Sequence, residues 1–363
     1  MKIGIIAHLK HPINAPFAGG LEVFTHQVTV ALQALGHEVI LFASSSSDPT
    51  LPLYQILCDG HYDKKSGIRK KTKDLPSEYI SEHHAYFSLM MEIDNHGLDV
   101  IFNNSLHYIP ITMAGMVATP MLTVLHTPPF YELEMAIKAE QRNPCIDYVT
   151  VSRQSALNWS DIIPQCEIIL NGVKCDNWQF YPQPQADAYA VWFGRIHPDK
   201  GLHHAINAAR AAGIPLRVAG GIADQRYFDK EIAPLLGPDI TMLGILDHTT
   251  LNREIGLARV CLVTPCWQEP FGLVVAEAMT CGTPVAGFKM GALPELITDE
   301  TGELVDFADI SALCDAIQTT SQLNRKRIHD YAIEKFSFDQ MVSAYEQLLE
   351  KVTAYGKNLK YTI

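Results

Sequence analysis

Short runs that are apolar at nearly every position alternate with stretches in which apolar side chains recur at helical spacing, from one end of the chain to the other. No other feature restricts the fold as much. A run apolar throughout suits a strand buried on both faces, and an amphipathic helix between two such runs is the crossover that parallel strands need. Strands are expected at residues 3–7, 39–43, 100–103, 121–125, 148–151 and 168–170, then at 190–193, 216–219, 240–243, 260–263, 284–287 and 304–305. The helices between them have readable stops, such as Gly36 after 21–35 and Gly97 after 82–95, because glycine accepts the left-handed turn that ends a helix. Two doubly wound parallel sheets of the α/β class follow.

At 363 residues the chain exceeds one ordinary core. The segment Tyr181-Pro182-Gln183-Pro184-Gln185-Ala186-Asp187 separates the two series of strands. Polar and proline-bearing, it suits neither sheet nor helix, so it is expected to be the linker between domains 1–182 and 183–363. Three helical stretches close the chain at 310–320, 323–335 and 338–351, the last with Met341, Tyr345, Leu348 and Leu349 on one stripe that is expected to lie back on the first domain.

Composition removes several classes of function. With 28 basic and 40 acidic side chains the formal charge is −12, whereas general nucleic-acid binding needs a basic face that releases counterions. The eight cysteines are scattered and form no C-x-x-C pair, which suits reduced thiols used as small apolar groups rather than a disulfide or zinc framework. His83-His84 and His203-His204 are adjacent pairs, and neighbours on a helix do not face one another, so no metal site is expected. No run of 18 or more apolar residues occurs and residues 1–7 enter a strand directly, which gives a cytoplasmic expectation. Residues 59–74 are locally basic, with Lys64, Lys65, Arg69, Lys70, Lys71 and Lys73. They read as a charged surface loop, or as a contact for an anionic acceptor or an anionic membrane surface, which would place the protein peripherally at the inner membrane face.

Doubly wound sheets take their ligands at the carboxyl ends of strands, so the loops after the apolar runs carry the candidates. The first ends in Ala18-Gly19-Gly20-Leu21-Glu22 at the head of a helix, where paired glycines permit close approach of the backbone to an anion. It departs from G-x-G-x-x-G, which counts against a nicotinamide enzyme. The second, Gly194-Arg195-Ile196-His197-Pro198-Asp199-Lys200-Gly201, offers a guanidinium fork and a point charge to a diphosphate, or forms a capped turn with exposed charges. The third runs through Cys266-Trp267-Gln268-Glu269-Pro270-Phe271-Gly272-Leu273-Val274-Val275-Ala276-Glu277. A helix amino end there seats a diphosphate, and the two flanking carboxylates suit a ligand rich in hydroxyls.

Glu269 and Glu277 in this setting form the E-x7-E signature, and the chain resembles the retaining nucleotide-sugar glycosyltransferases of family 4, which have the GT-B architecture. Gly19-Gly20-Leu21-Glu22, Val124-Leu125-His126-Thr127, Asn171-Gly172-Val173, Leu243-Gly244, Gly282-Thr283-Pro284-Val285 and Pro294-Glu295-Leu296 match in order, so the resemblance covers nearly the full length. It implies two Rossmann-like domains facing a cleft, the first for the acceptor and the second for the donor. Arg195 and Lys200 would grip the donor diphosphate, with Gly19, Gly20, Leu273 and Val274 closing round it. Glu269, helped by Phe271 and Gly272, would hold the hydroxyls of the transferred sugar; Glu277 would bind the ribose, His126 the sugar, and Ile245 would lie by the base.

The activity so implied is hexosyl transfer from a nucleotide-diphosphate sugar, UDP-hexose being the family's commonest donor, to a hydroxyl of a small-molecule, saccharide or lipid-linked acceptor. No metal and no other cofactor is expected. Competing readings are a nucleotide-sugar epimerase, a sugar phosphorylase and a non-catalytic nucleotide-sugar binder.

Overall fold

The computed structural model describes residues 1–57, 77–187 and 189–359. The basic residues Lys64, Lys65, Arg69, Lys70, Lys71 and Lys73 lie outside the described residues. The chain forms two compact units: Met1–Val151, Ala156–Ile169 and Val342–Ile363 make the first, and Ser152–Ser155 and Leu170–Met341 the second.

The first unit is built on seven strands, β1 Lys2–Ile6, β2 Glu38–Ser44, β3 Leu53–Leu57, β4 Val100–Asn103, β5 Met121–Leu125, β6 Ile146–Thr150 and β7 Glu167–Ile168. Their order is β3-β2-β1-β4-β5-β6-β7, with every pair parallel. Strand order reverses between β1 and β4, where Ile6 lies beside Asn103, and this switch point is where a doubly wound sheet opens for a ligand. The central strands β4 and β5 are buried at every position, whereas β7 is exposed. The helix Gly20–Ala34 buries Phe24, Val28 and Leu32, a single stripe at four-residue spacing. From Val342 onward the last helix, Phe338–Leu359, belongs to this unit, with Tyr345 fully buried between Phe24 and Phe102.

The second unit repeats the design with six parallel strands, β8 Ala190–Phe193, β9 Leu216–Ala219, β10 Ile240–Gly244, β11 Val260–Val263, β12 Val285–Phe288 and β13 Gly302–Val305, in the order β10-β9-β8-β11-β12-β13. Its switch point falls between β8 and β11. Among the described residues no helix is long and apolar enough to cross a membrane.

Two sequence readings differ from the structure. The strand β3 was not expected, because Leu53-Tyr54-Gln55-Ile56-Leu57 is a half-exposed edge without the apolar continuity of the centre. The segment 181–187 lies inside the second unit rather than between domains 1–182 and 183–363, and the chain changes unit at Ile169. Tyr181 N donates to Cys281 O at 3.0 Å, Gln185 N donates to Leu257 O at 2.9 Å, and Arg325 Nε reaches Tyr181 O at 2.8 Å. Proline and polar composition report that a segment avoids regular structure; they do not report that its few amides are tied down.

Candidate active site

In the second unit the expected donor residues collect in the loops after β8 and β11. Arg195, two residues beyond β8, is exposed and makes no hydrogen bond or ion pair among the described residues. Lys200 ends the turn Pro198–Lys200, capped by His197 Nδ1, which accepts from Asp199 N. Gly201 follows at φ +61°, and a Cβ there would collide with the Thr264 carbonyl oxygen, so the close approach of the two loops requires glycine. Thr264 Oγ1 donates to Gly201 O at 2.9 Å and Cys266 N to Asp199 O at 2.7 Å, which completes the clasp.

This clasp delivers Lys200 Nζ to the loop after β11. The ammonium donates to Glu269 Oε2 at 2.6 Å and stands 5.3 Å from the Trp267 ring centroid. Trp267 Nε1 donates to the same oxygen at 3.0 Å, and Glu269 Oε1 accepts no hydrogen bond among the described residues. The loop itself is pinned at both ends: Ala292 N donates to Glu269 O at 2.8 Å, and Phe271, buried, packs edge-on against Phe336. Gly272, at φ +99°, opens the helix Leu273–Thr280. Val275 N bonds to Gly272 O at 2.9 Å, and the amides of Leu273 and Val274 are the open donors that a helix start leaves.

Glu277 lies just over a turn into that helix, half-buried, with no hydrogen bond or ion pair to its carboxylate among the described residues. Burial alone pushes its pKa from 4.5 up to about 7. Ile245, just after β10, is 74% exposed, and Gly244 O accepts from Gly220 N at 2.8 Å.

The first unit carries the remaining candidates. His126 follows β5; its Nε2 donates to Asn104 Oδ1 at 2.8 Å and its ring stands edge-on to Phe24. Burial, and secondarily the nearby His8, holds its pKa down to about 3, so it is a neutral hydrogen-bonding group. Gly19, extended, caps the helix that starts at Gly20. Glu22 in its first turn is buried, 3.4 Å from His8 Nδ1. Burial pushes this carboxyl up, but hydrogen bonding to His8 and to its own amide, together with nearby histidine charge, holds it below the ordinary value. His107 Nε2 lies 3.3 Å from His83 Nδ1, and burial, then His83 and His8, lowers its pKa to about 3.

Lys200 and Glu269 are thus in direct contact, although the sequence reading gave them different parts of a ligand; Arg195 and Glu277 stand without a partner among the described residues. Sequence reasoning gave no role to Trp267, although it lies inside the third segment singled out. It named Glu22 and His83 but gave neither a role, and their contacts to His8 and His107 emerge only in the fold. The premise that neighbouring histidines do not face one another is corrected. His203 and His204 do approach each other, with ring centroids 4.0 Å apart, and ligand atoms of both and of Cys266 lie within 4.8 Å of one another. They lie in the first turn of the helix Leu202–Ala211.

Comparison with known proteins identifies a family. Residues 18–177 match the family model of glycosyltransferase family 4, and residues 177–335 that of glycosyl transferases group 1. An alpha-maltose-1-phosphate synthase of Mycobacterium tuberculosis is 31% identical over 163 residues, which cover 39% of this chain and 42% of that protein. A D-inositol 3-phosphate glycosyltransferase of Mycolicibacterium smegmatis is 32% identical over 144 residues, covering 37% of this chain and 32% of that protein. The chain therefore spans less than half the length of the curated relatives it matches. Among solved structures, a sucrose-phosphate synthase from Thermosynechococcus elongatus shares the fold with a TM-score of 0.76 at 22% identity, covering 98% of this chain and 99% of that one. HepE of Anabaena, solved in complex with UDP-glucose, gives 0.73 at 17% identity over 97% of this chain and 100% of that one.

Proposed function

The chain belongs to the group 1, family 4 glycosyltransferases, and we propose from that premise that it moves a hexosyl group from a nucleotide-diphosphate sugar, a UDP-sugar first, to a hydroxyl of a saccharide acceptor. The observation that carries the reading is the pair Glu269 and Glu277 on either side of an open helix start, with Lys200 held at Glu269 by a 2.6 Å hydrogen bond.

Transfer breaks the bond between the sugar C1 and the diphosphate oxygen, and the electron pair leaves with the diphosphate. The groups assigned to that developing charge are Arg195, Lys200 and the amides of Leu273 and Val274. Two side-chain cations supply the neutralisation, so the proposed reaction uses no metal. Donor binding exchanges one anion for another on Lys200: the diphosphate takes over the ammonium, and Glu269 becomes free to accept sugar hydroxyls beside the Phe271 and Gly272 amides. Glu277 accepts from the ribose hydroxyls, Ile245 covers the base, and neutral His126 hydrogen-bonds the transferred sugar. The acceptor oxygen attacks C1 on the face the diphosphate leaves, its proton passes to the departing phosphate oxygen, and the anomeric configuration is retained. The candidates for orienting the acceptor are His8, Glu22, His83 and His107.

The test is a thermal-shift screen of nucleotide sugars followed by a transfer assay with the best of them. A UDP-sugar is expected to raise Tm in the wild type and not in a variant carrying Arg195→Ala and Lys200→Ala, whose transfer should fall by about three powers of ten. Near-wild-type transfer by that variant defeats the assignment. Consumption of the donor at the same rate with and without acceptor points instead to the epimerase or hydrolytic alternative.

A further inference from the structure

We propose that His203, His204 and Cys266 form a second binding site in this unit, for a single borderline divalent cation such as Zn2+. One ring nitrogen from each histidine and the Cys266 sulfur lie within 4.8 Å of one another. Three atoms with that greatest separation fit within a circle of radius about 2.8 Å, so the ligands need to close by roughly 0.5–0.8 Å to reach zinc distances of about 2.0–2.3 Å. Imidazole and thiolate are the donor set that zinc prefers, and with three protein ligands the fourth position is left to water.

The fold explains why these residues meet. Strands β8 and β11 pair directly, so the helix that follows β8 and the loop that follows β11 emerge side by side. Residues 203 and 204 open the one, and residue 266 lies in the other. The Cys266 amide is already tied to Asp199 O at 2.7 Å, while its sulfur's one hydrogen bond among the described residues is a long 3.9 Å contact to Thr264 O. The His203 ring is fixed by the Tyr227 hydroxyl, 2.7 Å from Nδ1, as outer-shell partners fix ligating imidazoles. His204 packs edge-on to Phe288 and Phe307, which gives the site one apolar wall. All three residues are half-buried, so an ion has access.

None of Arg195, Lys200, Glu269 or Glu277 belongs to the cluster, so the ion takes no part in the proposed transfer. Its effect is mechanical, because it ties the segment that continues into Trp267 and Glu269 to the helix that follows Lys200.

The experiment uses the metal-free full chain and cobalt(II) as the probe. One equivalent is expected to produce a thiolate-to-cobalt charge-transfer band with the strong ligand-field absorption of a four-coordinate site, and Zn2+ should abolish both. Cys266→Ser should lose the charge-transfer band, and His204→Gln should weaken cobalt binding at least tenfold. Since either substitution can disturb the fold, alkylation of the wild type provides a second readout. Stoichiometric Zn2+ should slow labelling of Cys266 at least tenfold, followed peptide by peptide. A wild-type spectrum without a thiolate band, a band that survives Cys266→Ser, or Cys266 labelling unchanged by Zn2+ overturns the site. None of these readouts involves a nucleotide sugar, so a failure here leaves the proposed transfer activity standing, and the reverse.

Discussion

Arg325 and Glu277 are both ionisable groups withdrawn from water in the second unit, and their surroundings are opposite. The Arg325 guanidinium donates to the carbonyls of Tyr181, Gly256 and Ala258 and to Thr283 Oγ1, at 2.6 to 2.9 Å. It fastens the segment 181–187 and the ends of neighbouring elements, and burial lowers its pKa only to about 10, so it stays charged. Glu277 has no partner among the described residues, and burial holds it near pH 7. A buried polar group that is fully hydrogen-bonded contributes to the fold, while one left alone costs it stability. The first region is organised around a charge that the protein itself satisfies. The second keeps a charge at the fold's expense, which fits a group waiting for a ligand's hydroxyls.

The contrast breaks most visibly at Arg325. Arg325→Met should cost about 3–5 kcal/mol in urea unfolding, since it strips the donors from four acceptors at once, three of them in buried bonds. Donor affinity per folded molecule should not change. A loss below about 1 kcal/mol would mean that solvent, not the guanidinium, satisfies those oxygens.

Glu277→Gln should act in the other direction on stability. Because the folded pKa of about 7 lies above the ordinary value of 4.5, the fold takes up a proton between them. The contribution is complete below about pH 4 and is lost as pH rises through about 7, by up to about 3 kcal/mol. The amide variant should therefore match the wild type near pH 4 and exceed it at pH 8, by roughly 1–3 kcal/mol. Equal unfolding curves at pH 8 would show that the carboxylate is better solvated than its surroundings indicate.

The smallest effect concerns binding. If the ionised form of Glu277 holds the ribose, donor affinity should fall about tenfold between pH 8 and pH 6, since the ionised fraction falls by that factor across a pKa of about 7. A UDP-sugar is the right probe because its doubly esterified diphosphate does not titrate in this range. Calorimetry should show the slope in the wild type and a flat, weaker profile in Glu277→Gln. A slope that survives in the variant assigns it to another group.

How much of this was legible beforehand depends on whether the deciding neighbours are close in sequence. Glu269, Pro270, Gly272 and Glu277 lie within one loop and the turn it feeds, so their grouping around a helix start could be read directly from spacing. Likewise β4 and β5, buried on both faces, are written as runs apolar at all but one position each. The edge strand β3 is not, because half of it faces water and its residues carry no such continuity. The ion pair between Lys200 and Glu269 joins positions 69 residues apart, and the cluster of His203, His204 and Cys266 forms only because β8 and β11 are neighbours. In the segment 181–187, composition identified a break in regular structure and missed the hydrogen bonds that make it part of the second unit.

The sequence by itself determined the α/β class, the two successive sheets, the placement of candidate residues after strand ends and the resemblance that named the family. These depend on hydrophobic periodicity and on motifs contained within single loops, both of which act over short stretches of chain. The tertiary structure alone decided which charges are satisfied. Whether a carboxylate is paired, as in Glu269, or has no partner among the described residues, as in Glu277, depends on what distant segments bring to it, and the spacing of residues along the chain carries no record of that.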